Sequence, residues 1–461
     1  MRNHKNILPF LLILIIGASN VYAQNPIVQT KFTADPAPMV YKNTVYLYTS
    51  HDEDNSPPGQ GRFLMRDWLC YTSTDMVNWT DHGAVASLRN FKWADKSITG
   101  WGGFDNGAWA PQTIERNGKF YMYCPVQGRG IGVLVADNPF GPFVDPIGKP
   151  LIGAQYDSID PTVMVDDDGQ AYLYWGNPNL WYVKLNKDMI SLSGTITKDS
   201  SVAKVKDMPD PYHYQEGPWA YKRNNKYYMA YASTCCPEGI GYAMSSSPTG
   251  PWEYKGYIMR PNQKSTGNHP GIIDYKGHSY LFGFNFQLNF QLTDKHHERR
   301  SVCIAELKYN ADGTIPELPW WQKETVSQLG TLNPYTGSEA EMIAWASGIK
   351  SEKDSASKNI YLTKIDNNDY IKIQGVDFKK GAKSFQATLA SASKEAGQIE
   401  LRLDSLNGAL IGSLPLSDTG GSLNWKTLSV KVKQTPGVHD LYFVFKGNGT
   451  DICNFDKWKF K

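Results

Sequence analysis

The amino-acid sequence predicts an all-β protein of two domains, a five-bladed β-propeller followed by a β-sandwich of the jelly-roll type. Three observations lead to this fold class. An X-Pro step, a turn and an aromatic-rich alternating run recur five times, helical periodicity is weak throughout, and the composition changes near residue 331. Repeats of about 50–60 residues that each hold several short strands are typical of propeller blades.

The five predicted blades are marked by prolines at positions 36, 111, 161, 218 and 270. After each proline, a turn rich in Asn or Gly separates two strands, as Asn117-Gly118 does before the run from Phe120 to Tyr123. This is the sequence pattern of a β-hairpin. Further short strands, such as 131–136 and 301–307, complete the units. We therefore expect the propeller to span residues 25–330.

A linker and a second domain follow the repeats. Leu332-Asn333-Pro334-Tyr335 indicates a linker over residues 331–338. Between residues 339 and 461, alternating runs such as 384–390 and 439–445 are separated by Gly, Asn and Ser turns. This pattern predicts the β-sandwich.

Residues 1–23 have the features of a secretory signal peptide. Arg2 and Lys5 precede an apolar run from Ile7 to Ile16, and Val21-Tyr22-Ala23 provides a small-residue cleavage site. The run is short for a membrane span, and a retained anchor is the alternative. No later stretch has the length of a transmembrane helix, so we expect a secreted or periplasmic protein without a membrane span.

Charge and composition narrow the classes of partner. Without Arg2 and Lys5 the chain has 45 basic and 45 acidic side chains, so it lacks the basic excess with which proteins bind nucleic acid. The 14 Trp and 27 Tyr residues instead suggest flat platforms for sugars. The six cysteines lack the number and spacing of a disulfide framework or a zinc site, so we expect mostly buried thiols.

Equivalent positions of the five repeats should converge at one mouth of the propeller, because the innermost strand of each blade runs along the axis. These positions carry Asp35, Ala110, Asp160, Glu216 and His269. Carboxyl groups held close together repel, so that one has a raised pKa and can act as an acid while another stays ionised as a base. Such a pair in an aromatic-walled pocket is suited to glycoside hydrolysis.

Each of these residues also has a simpler interpretation. A single Asp-Pro or Gly-Pro step is ordinary turn chemistry. His269 is either a buried structural histidine or a ligand of a cation on the propeller axis. The agreement of three acids with one repeat register favours a shared site.

Three motifs carry a resemblance to a known family. Ala34-Asp35-Pro36, Ile159-Asp160-Pro161 and Glu216-Gly217-Pro218 resemble, in order and spacing, the three catalytic motifs of glycoside hydrolase family 43. The resemblance implies a five-bladed propeller and hydrolysis with inversion. It assigns Asp35 as general base, Glu216 as general acid, and Asp160 as the residue that orients the acid and holds up its pKa.

The same resemblance suggests contacts to the substrate. Arg300, which immediately precedes Ser301, matches the family arginine that reaches the bound sugar, with a surface ion pair as the alternative. Trp109, Asn268 and His269 occupy or flank repeat positions and are expected to line the sugar pocket. For Trp109, packing alone is the alternative.

Segments 339–341, 375–378, 419–421 and 454–458 of the second domain resemble carbohydrate-binding module family 6. The resemblance implies a sandwich with structural calcium. The residues of this sequence that best match the calcium ligands of that family are Glu339, Glu341 and Asp456. Their hard oxygen donors suit Ca²⁺.

Three further positions of this domain match those that hold sugar in the family, namely Tyr361, Trp425 and Asn454. One departure is Ser422, which stands where the family often has a Trp after two glycines. The module is therefore either a weak glycan binder or a structural partner of the propeller.

The two resemblances together imply a secreted inverting glycoside hydrolase that releases L-arabinofuranosyl side groups from arabinoxylan, a plant cell-wall polysaccharide. A β-xylosidase acting on xylo-oligosaccharides is the alternative, and an arabinan-degrading enzyme or a non-catalytic glycan-binding protein is less favoured. We expect a monomer that needs no cofactor for the chemistry, with structural Ca²⁺ in the second domain and a possible cation on the propeller axis.

Overall fold

The computed structural model describes residues 22–59, 63–94, 106–202, 213–235, 237–262, 268–321, 324–395 and 397–461. Strands dominate these residues, and the one α-helix among them, α1 (Gln287–Leu292), is six residues long. The all-β prediction is confirmed. Within the same residues, no helix has the length and apolar character needed to cross a membrane. The signal-peptide prediction falls almost entirely on residues 1–21, which lie outside the described ranges.

After a short first strand, β1 (Tyr22–Gln24), five antiparallel sheets follow one another along the chain and form the predicted blades. Blade 1 contains β2 (Phe32–Tyr41), β3 (Thr44–Asp52), β4 (Asp67–Ser73) and β5 (Trp79–Ser87). Blade 2 contains β6 (Gln112–Arg116), β7 (Lys119–Val126), β8 (Gly130–Ala136) and β9 (Ile152–Gly153). Blade 3 contains β10 (Thr162–Val165), β11 (Ala171–Trp175), β12 (Trp181–Leu185) and β13 (Leu192–Lys198). Blade 4 contains β14 (Tyr214–Arg223), β15 (Lys226–Ser233), β16 (Gly239–Ser245) and β17 (Glu253–Met259). Blade 5 contains β18 (Gly271–Tyr275), β19 (His278–Asn285) and β20 (Ser301–Leu307).

The core of the propeller lies between neighbouring blades. One apolar cluster joins blades 2 and 3 through residues such as Tyr123 and Leu173. Another joins blades 3 and 4 through Tyr174 and Tyr231. The aromatic strand β11 is buried along its whole length, because a blade is covered by a neighbour on each face.

The two ends of the propeller chain meet beside blade 5. Strand β1 pairs antiparallel with β21 (Glu324–Ser327). The backbone N–H of Ile27 donates to the carbonyl of Val302 at 2.9 Å, and the Asn25 side chain both donates to and accepts from the backbone of Ile304. The N-terminal segment thus lies along β20 and closes the ring.

The remaining strands form the predicted sandwich, apart from one. In chain order they are β22 (Ser338–Glu339), β23 (Met342–Ile343), β24 (Trp345–Ser347), β25 (Lys350–Lys353), β26 (Ile360–Thr363), β27 (Tyr370–Asp377), β28 (Ser384–Ser391), β29 (Gly397–Leu403), β30 (Leu410–Leu416), β31 (Gly421–Lys431), β32 (Val438–Gly447) and β33 (Asn454–Phe460). One sheet has the order β25-β26-β33-β28-β31, with β22 beside β33, and the other has the order β24-β27-β32-β29-β30. A single apolar cluster fills the space between them.

Strand β23 is the exception, because it leaves the sandwich and pairs with β5 as a fifth strand of blade 1. Beside it, the ammonium group of Lys31 lies 2.5 Å from Asp81 and 2.6 Å from Ser351, whose hydroxyl also donates to Asp81 at 2.6 Å. The predicted linker is itself packed on the sandwich, since Leu332 donates its N–H to Gly375 at 2.9 Å. The two domains therefore share a sheet and a buried polar contact.

The cysteines follow the expectation only in part. Cys70, Cys124, Cys303 and Cys453 are buried free thiols. Cys235, in contrast, takes part in a disulfide bond, which the sequence argument did not predict.

Candidate active site

The X-Pro steps gather around the propeller axis. Pro36, Pro111, Pro161, Pro218 and Pro270 line one small space together. In register with these prolines, the residue that corresponds to Asp35 and Asp160 in blade 4 is Gly217, and Glu216 stands one position earlier. The five-position alignment made from the sequence was therefore wrong by one residue in blade 4, although Glu216 still reaches the same pocket.

The backbone explains this offset. Asp35, Asp160 and Gly217 all have left-handed φ angles, of 51°, 56° and 59°. A Cβ atom at Gly217 would lie 2.6 Å from a ring carbon of His269, so only glycine leaves room for the imidazole there. For the two aspartates the left-handed conformation costs about 1–3 kcal/mol each, which is typical of residues held at functional sites.

Asp35 is buried and held from two sides. Its Oδ2 accepts a hydrogen bond from the hydroxyl of Ser50 at 2.6 Å, and its Oδ1 accepts one from Nη1 of Arg300 at 3.0 Å. Arg300 is itself fixed by Asp52, to which its Nε and Nη2 donate at 2.9 and 3.0 Å. Arg300 is only 3% exposed, so the surface ion pair considered above does not describe it.

Glu216 is partly open to the pocket, with 15% of its side chain exposed. The side-chain amide of Asn177 donates to its Oε2. Gln215 holds Asn177 in turn, by donating to its Oδ1 at 3.1 Å. One carboxyl oxygen is thus fixed, while Oε1 faces His269 at 3.5 Å.

Asp160 and His269 form the floor of the site. Oδ2 of Asp160 accepts the N–H of Gly217 at 3.1 Å and lies 3.6 Å from Nε2 of His269. Burial, with the charges of Glu216 and Asp35, raises the pKa of Asp160 to about 7. Burial alone disfavours the imidazolium of His269, but the neighbouring carboxyls outweigh it and raise the pKa of His269 to about 10.

The imidazole of His269 lies between the two carboxyls proposed as base and acid. Its Nδ1 is 3.4 Å from Oδ1 of Asp35, and its Nε2 is 3.5 Å from Oε1 of Glu216. Since the ring nitrogens are about 2 Å apart, these oxygens are separated by at most about 9 Å, which is close enough for both carboxyl groups to reach one sugar. The site can therefore supply an acid and a base to the same glycosidic bond.

These groups open into a cavity of about 440 Å³. Trp109, Phe63 and Met65 give it an apolar wall, while Gln127 and Asn177 add neutral polar groups. A concave site with an apolar wall and few convergent polar groups is typical of small-ligand binding.

The predicted lining residues take different places. Trp109, His269 and Arg300 line the cavity. Asn268 does not, because it is fully buried and its Oδ1 accepts the N–H of Phe284 at 3.3 Å. Its role is to support β19 behind the wall.

Comparisons with known proteins bear on this geometry. A model of the family described as glycosyl hydrolases family 43 matches residues 23–315, which is more than half of the chain. The chain belongs to glycoside hydrolase family 43. A model of carbohydrate binding module (family 6) matches residues 339–461.

Relatives of this family 43 glycoside hydrolase extend over both domains. An arabinoxylan arabinofuranohydrolase of Bacillus subtilis (strain 168) is 35% identical over 499 aligned positions, which cover 96% of this chain and 93% of the relative. One of Paenibacillus polymyxa is 34% identical, and the match covers 95% of this chain and 74% of the relative. A crystal structure of a family 43 arabinoxylan arabinofuranohydrolase from Bacillus subtilis with cellotetraose gives a TM-score of 0.79 at 33% identity, covering 95% of this chain and 97% of that one.

In the sandwich of this family 43 enzyme, two of the three predicted calcium ligands are buried without a full set of partners. Glu341 and Asp456 are buried, and each keeps a buried carboxyl oxygen without a hydrogen-bond partner. Burial raises the pKa of Glu341 to about 9, with a contribution from the nearby charges of Glu339 and Asp456. Ligand oxygens of the three acids do not all lie within 4.8 Å of one another. Unpartnered buried oxygens fit a cation, which would compensate their charge.

The predicted sugar contacts of the sandwich are partly assembled. The rings of Tyr361 and Trp425 are in contact, with centroids 5.4 Å apart, and the hydroxyl of Tyr361 donates to Glu352 at 3.2 Å. Asn454 donates instead to the carbonyl of Ser422 at 2.7 Å.

Two functional residues escaped the sequence argument. Asp52 lies at the end of β3, 248 positions from the arginine that it binds, and no repeat position points to it. Asn177 follows β11 and forms an Asn-Pro step, which is the one local signal that could have drawn attention to it.

Proposed function

We propose that this enzyme removes L-arabinofuranosyl side groups from arabinoxylan by single-displacement hydrolysis with inversion. The observation that carries the proposal is the joining of acids from blades 1, 3 and 4 in one pocket of 440 Å³. The similarity of both domains to arabinoxylan arabinofuranohydrolases supports arabinoxylan as the substrate.

In this mechanism Asp35 takes a proton from a water that attacks the anomeric carbon. Glu216 gives its proton to the glycosidic oxygen as the bond to carbon breaks, so the proton leaves with the released alcohol. The bonds from Ser50 and Arg300 keep Asp35 aligned for this task. Asp160 lines the same pocket beside the acid, and its Oδ2 accepts the N–H of Gly217, the residue that follows Glu216.

The floor of the pocket favours removal of one terminal sugar. The space under the carboxyls, between the five prolines, measures only about 20 Å³. A chain of sugars cannot pass through a gap of this size, which has room for about one water. A side group that enters from the mouth of the pocket would therefore stop beside the carboxyl groups of Asp35 and Glu216.

The product identifies the activity directly. We expect arabinose from wheat arabinoxylan, with the inverted anomer formed first in a proton NMR time course. Xylose from xylo-oligosaccharides would instead establish the β-xylosidase, arabinose oligomers from linear arabinan would establish arabinan degradation, and binding without any product would leave a glycan-binding protein.

Replacement of the general acid is the sharpest mutational test. Glu216→Gln should lower kcat on arabinoxylan by about 10²–10⁴-fold, because the leaving sugar then departs without a proton. An aryl arabinofuranoside with a good leaving group should lose much less. Equal losses on both substrates would contradict the assignment, and the exposed Glu253→Gln provides a control that should leave both rates unchanged.

We also propose that the sandwich binds structural Ca²⁺ through Glu339, Glu341 and Asp456 and holds glycan beside Tyr361, Trp425 and Asn454. The unpartnered oxygens of Glu341 and Asp456 support the metal site. Affinity electrophoresis in arabinoxylan gels of the Trp425→Ala variant tests the glycan site, where unchanged retardation would leave the domain a structural role.

Export and an axial cation complete the proposal. The first 23 residues support secretion, which N-terminal sequencing of the exported protein tests, and we expect a monomer by light scattering. A cation on the axis would be held by Asp160 and by His269 in its neutral form, which leaves Glu216 free to donate its proton. The unpartnered Oδ1 of Asp160 supports it, and metal analysis of the purified protein decides it.

A further inference from the structure

A second cavity, of about 560 Å³, lies beside blade 5. It is larger than the catalytic pocket and belongs to neither the acids nor the sandwich. The residues that line it come from α1, the end of β19, and two other segments: Asn262, Asn285, Phe286, Gln287, Phe290, Gln291, Trp320 and Trp321.

The lining has a uniform chemistry. Four side chains are aromatic and the other four are carboxamides, so the described part of the wall contains no charged group. Aromatic faces pack against the apolar faces of sugar rings, and carboxamides both donate to and accept from hydroxyl groups. This combination fits an uncharged polyhydroxylated ligand, and it does not fit a phosphate, a carboxylate or a cation.

Helix α1 builds one wall by its periodicity. Phe286 and Phe290 are four residues apart, and the N–H of Phe290 donates to the carbonyl of Phe286 at 3.2 Å. Gln287 and Gln291 repeat the same spacing one residue later, so each pair lies along the helix. The ring of His296 packs against both phenylalanines, at 4.9 and 6.2 Å between centroids, and fixes them from behind.

The opposite wall depends on a glycine. A Cβ atom at Gly283 would lie 2.2 Å from the ring of Trp321, so the tryptophan can approach β19 only because this residue has no side chain. Trp321 is buried, and its Nε1 has no hydrogen-bond partner. The half-buried Trp320 stands next to it.

The cavity is close to the catalytic pocket. Asn285 on its wall pairs in register with Ser301, the neighbour of Arg300 in the catalytic pocket. Paired residues of adjacent strands are about 5 Å apart. Neighbouring positions of blade 5 therefore line the two cavities.

We propose that this cavity is a second glycan-binding site, which holds an unbranched stretch of the β-1,4-xylan main chain while a side group occupies the catalytic pocket. The identity of the polymer rests on the proposed function, whereas the neutral, sugar-like chemistry of the ligand rests on the wall itself.

A double variant tests the site on the full chain. Phe290→Ala with Trp320→Ala truncates two partly exposed rings, and it should raise the ratio of KM for arabinoxylan to KM for an aryl arabinofuranoside by about tenfold, equivalent to about 1.4 kcal/mol. The small substrate reaches only the catalytic pocket, so it corrects for any general damage. The matched control Phe140→Ala removes an exposed ring on blade 2 and should leave the ratio unchanged.

Direct binding separates this inference from the proposed function. In the Glu216→Gln background, calorimetric titration with linear xylohexaose should show one binding site fewer when Phe290→Ala and Trp320→Ala are added. The same site should be lost when Gln287→Ala and Gln291→Ala are added instead. Gln287 and Gln291 are exposed, so their truncation does not disturb the core. An unchanged number of sites overturns the inference. Absence of arabinose release by the wild-type enzyme would overturn the proposed function and leave this binding measurement valid.

Discussion

Asn177 is the residue on which the position of Glu216, the proposed general acid, depends. It binds one oxygen of Glu216 and is held by Gln215, while the other oxygen of Glu216 faces His269. A hydrogen bond to a charged group contributes about 1.5–3 kcal/mol. The geometry makes Asn177 a positioning residue, because it contacts Glu216 and affects the glycosidic bond only through that carboxyl group.

Removal of this amide should therefore slow the acid-dependent step. We expect Asn177→Ala to lower kcat on arabinoxylan about 10–100-fold, with a smaller loss on an activated aryl arabinofuranoside and a displaced acidic limb of the pH–rate profile. Steady-state kinetics on both substrates measure this. Asn186→Ala, a surface asparagine of the same blade, is the control. A loss confined to KM would assign Asn177 to substrate binding alone.

At this scale the sequence predicted the residues that repeat and missed those that do not. Asp35, Asp160 and His269 share one register with a proline, which made them visible. Asp52 and Asn177 act through contacts that arise only when distant strands meet, and such contacts leave no local pattern. The one-residue error at Glu216 has a different origin, because the step Glu216-Gly217-Pro218 already shows the offset in the sequence, and the structure adds the reason, which is the space that His269 needs at position 217.

Among the elements, β23 has the largest effect on the architecture. It is two residues long, yet it adds a strand from the C-terminal part of the chain to blade 1. Next to it, Lys31 and Ser351 bind Asp81, whose carboxyl group is almost completely buried. Burial opposes the charge of Asp81, but the adjacent Lys31 ammonium outweighs it and lowers the pKa of this carboxyl.

Loss of this buried charge should destabilise the junction between the domains. We expect Asp81→Asn to lower the free energy of unfolding by about 3 kcal/mol, and the Tm by about 3–5 °C, because the partly buried Lys31 keeps its charge without a partner. Differential scanning calorimetry measures the shift. Asp137→Asn breaks an exposed pair with Lys119 and should have no effect. Equal Tm values for the two variants would show that the junction contributes nothing to stability.

The blades and the sandwich were predictable as elements, since turns and alternating strands are local signals. The pairing of β23 with β5 was not, because the sequence between residues 331 and 347 contains no feature that distinguishes a strand of one domain from a strand of the other. The closure of the propeller ring by β1 and β21 was not predicted from the sequence, for the same reason.

For the whole molecule, the Ca²⁺ proposed for the acids of the sandwich would link metal binding to stability. Glu341 immediately precedes β23, and its carbonyl accepts the N–H of Asp81 at 3.4 Å. A cation on Glu341 would therefore strengthen both the sandwich and its attachment to blade 1.

Chelation should reveal this link. We expect the Tm to fall in EDTA and to recover with Ca²⁺, because bound ligand stabilises the folded state by mass action. Glu341→Gln should abolish the difference, whereas Glu395→Gln, an exposed glutamate of the same domain, should retain it. Thermal melts with and without Ca²⁺ measure the effect, and identical curves for the wild type would exclude a structural metal.

The shared sheet has a practical consequence for anyone who wishes to cut the protein into parts. A shortened chain that stops before residue 338 would leave β5 as an open edge and expose Trp79 and Asp81, which are now 1% and 3% exposed. Unprotected edges of this kind invite self-association. We therefore expect the propeller alone to self-associate, and fusions or transplants should keep the sandwich attached.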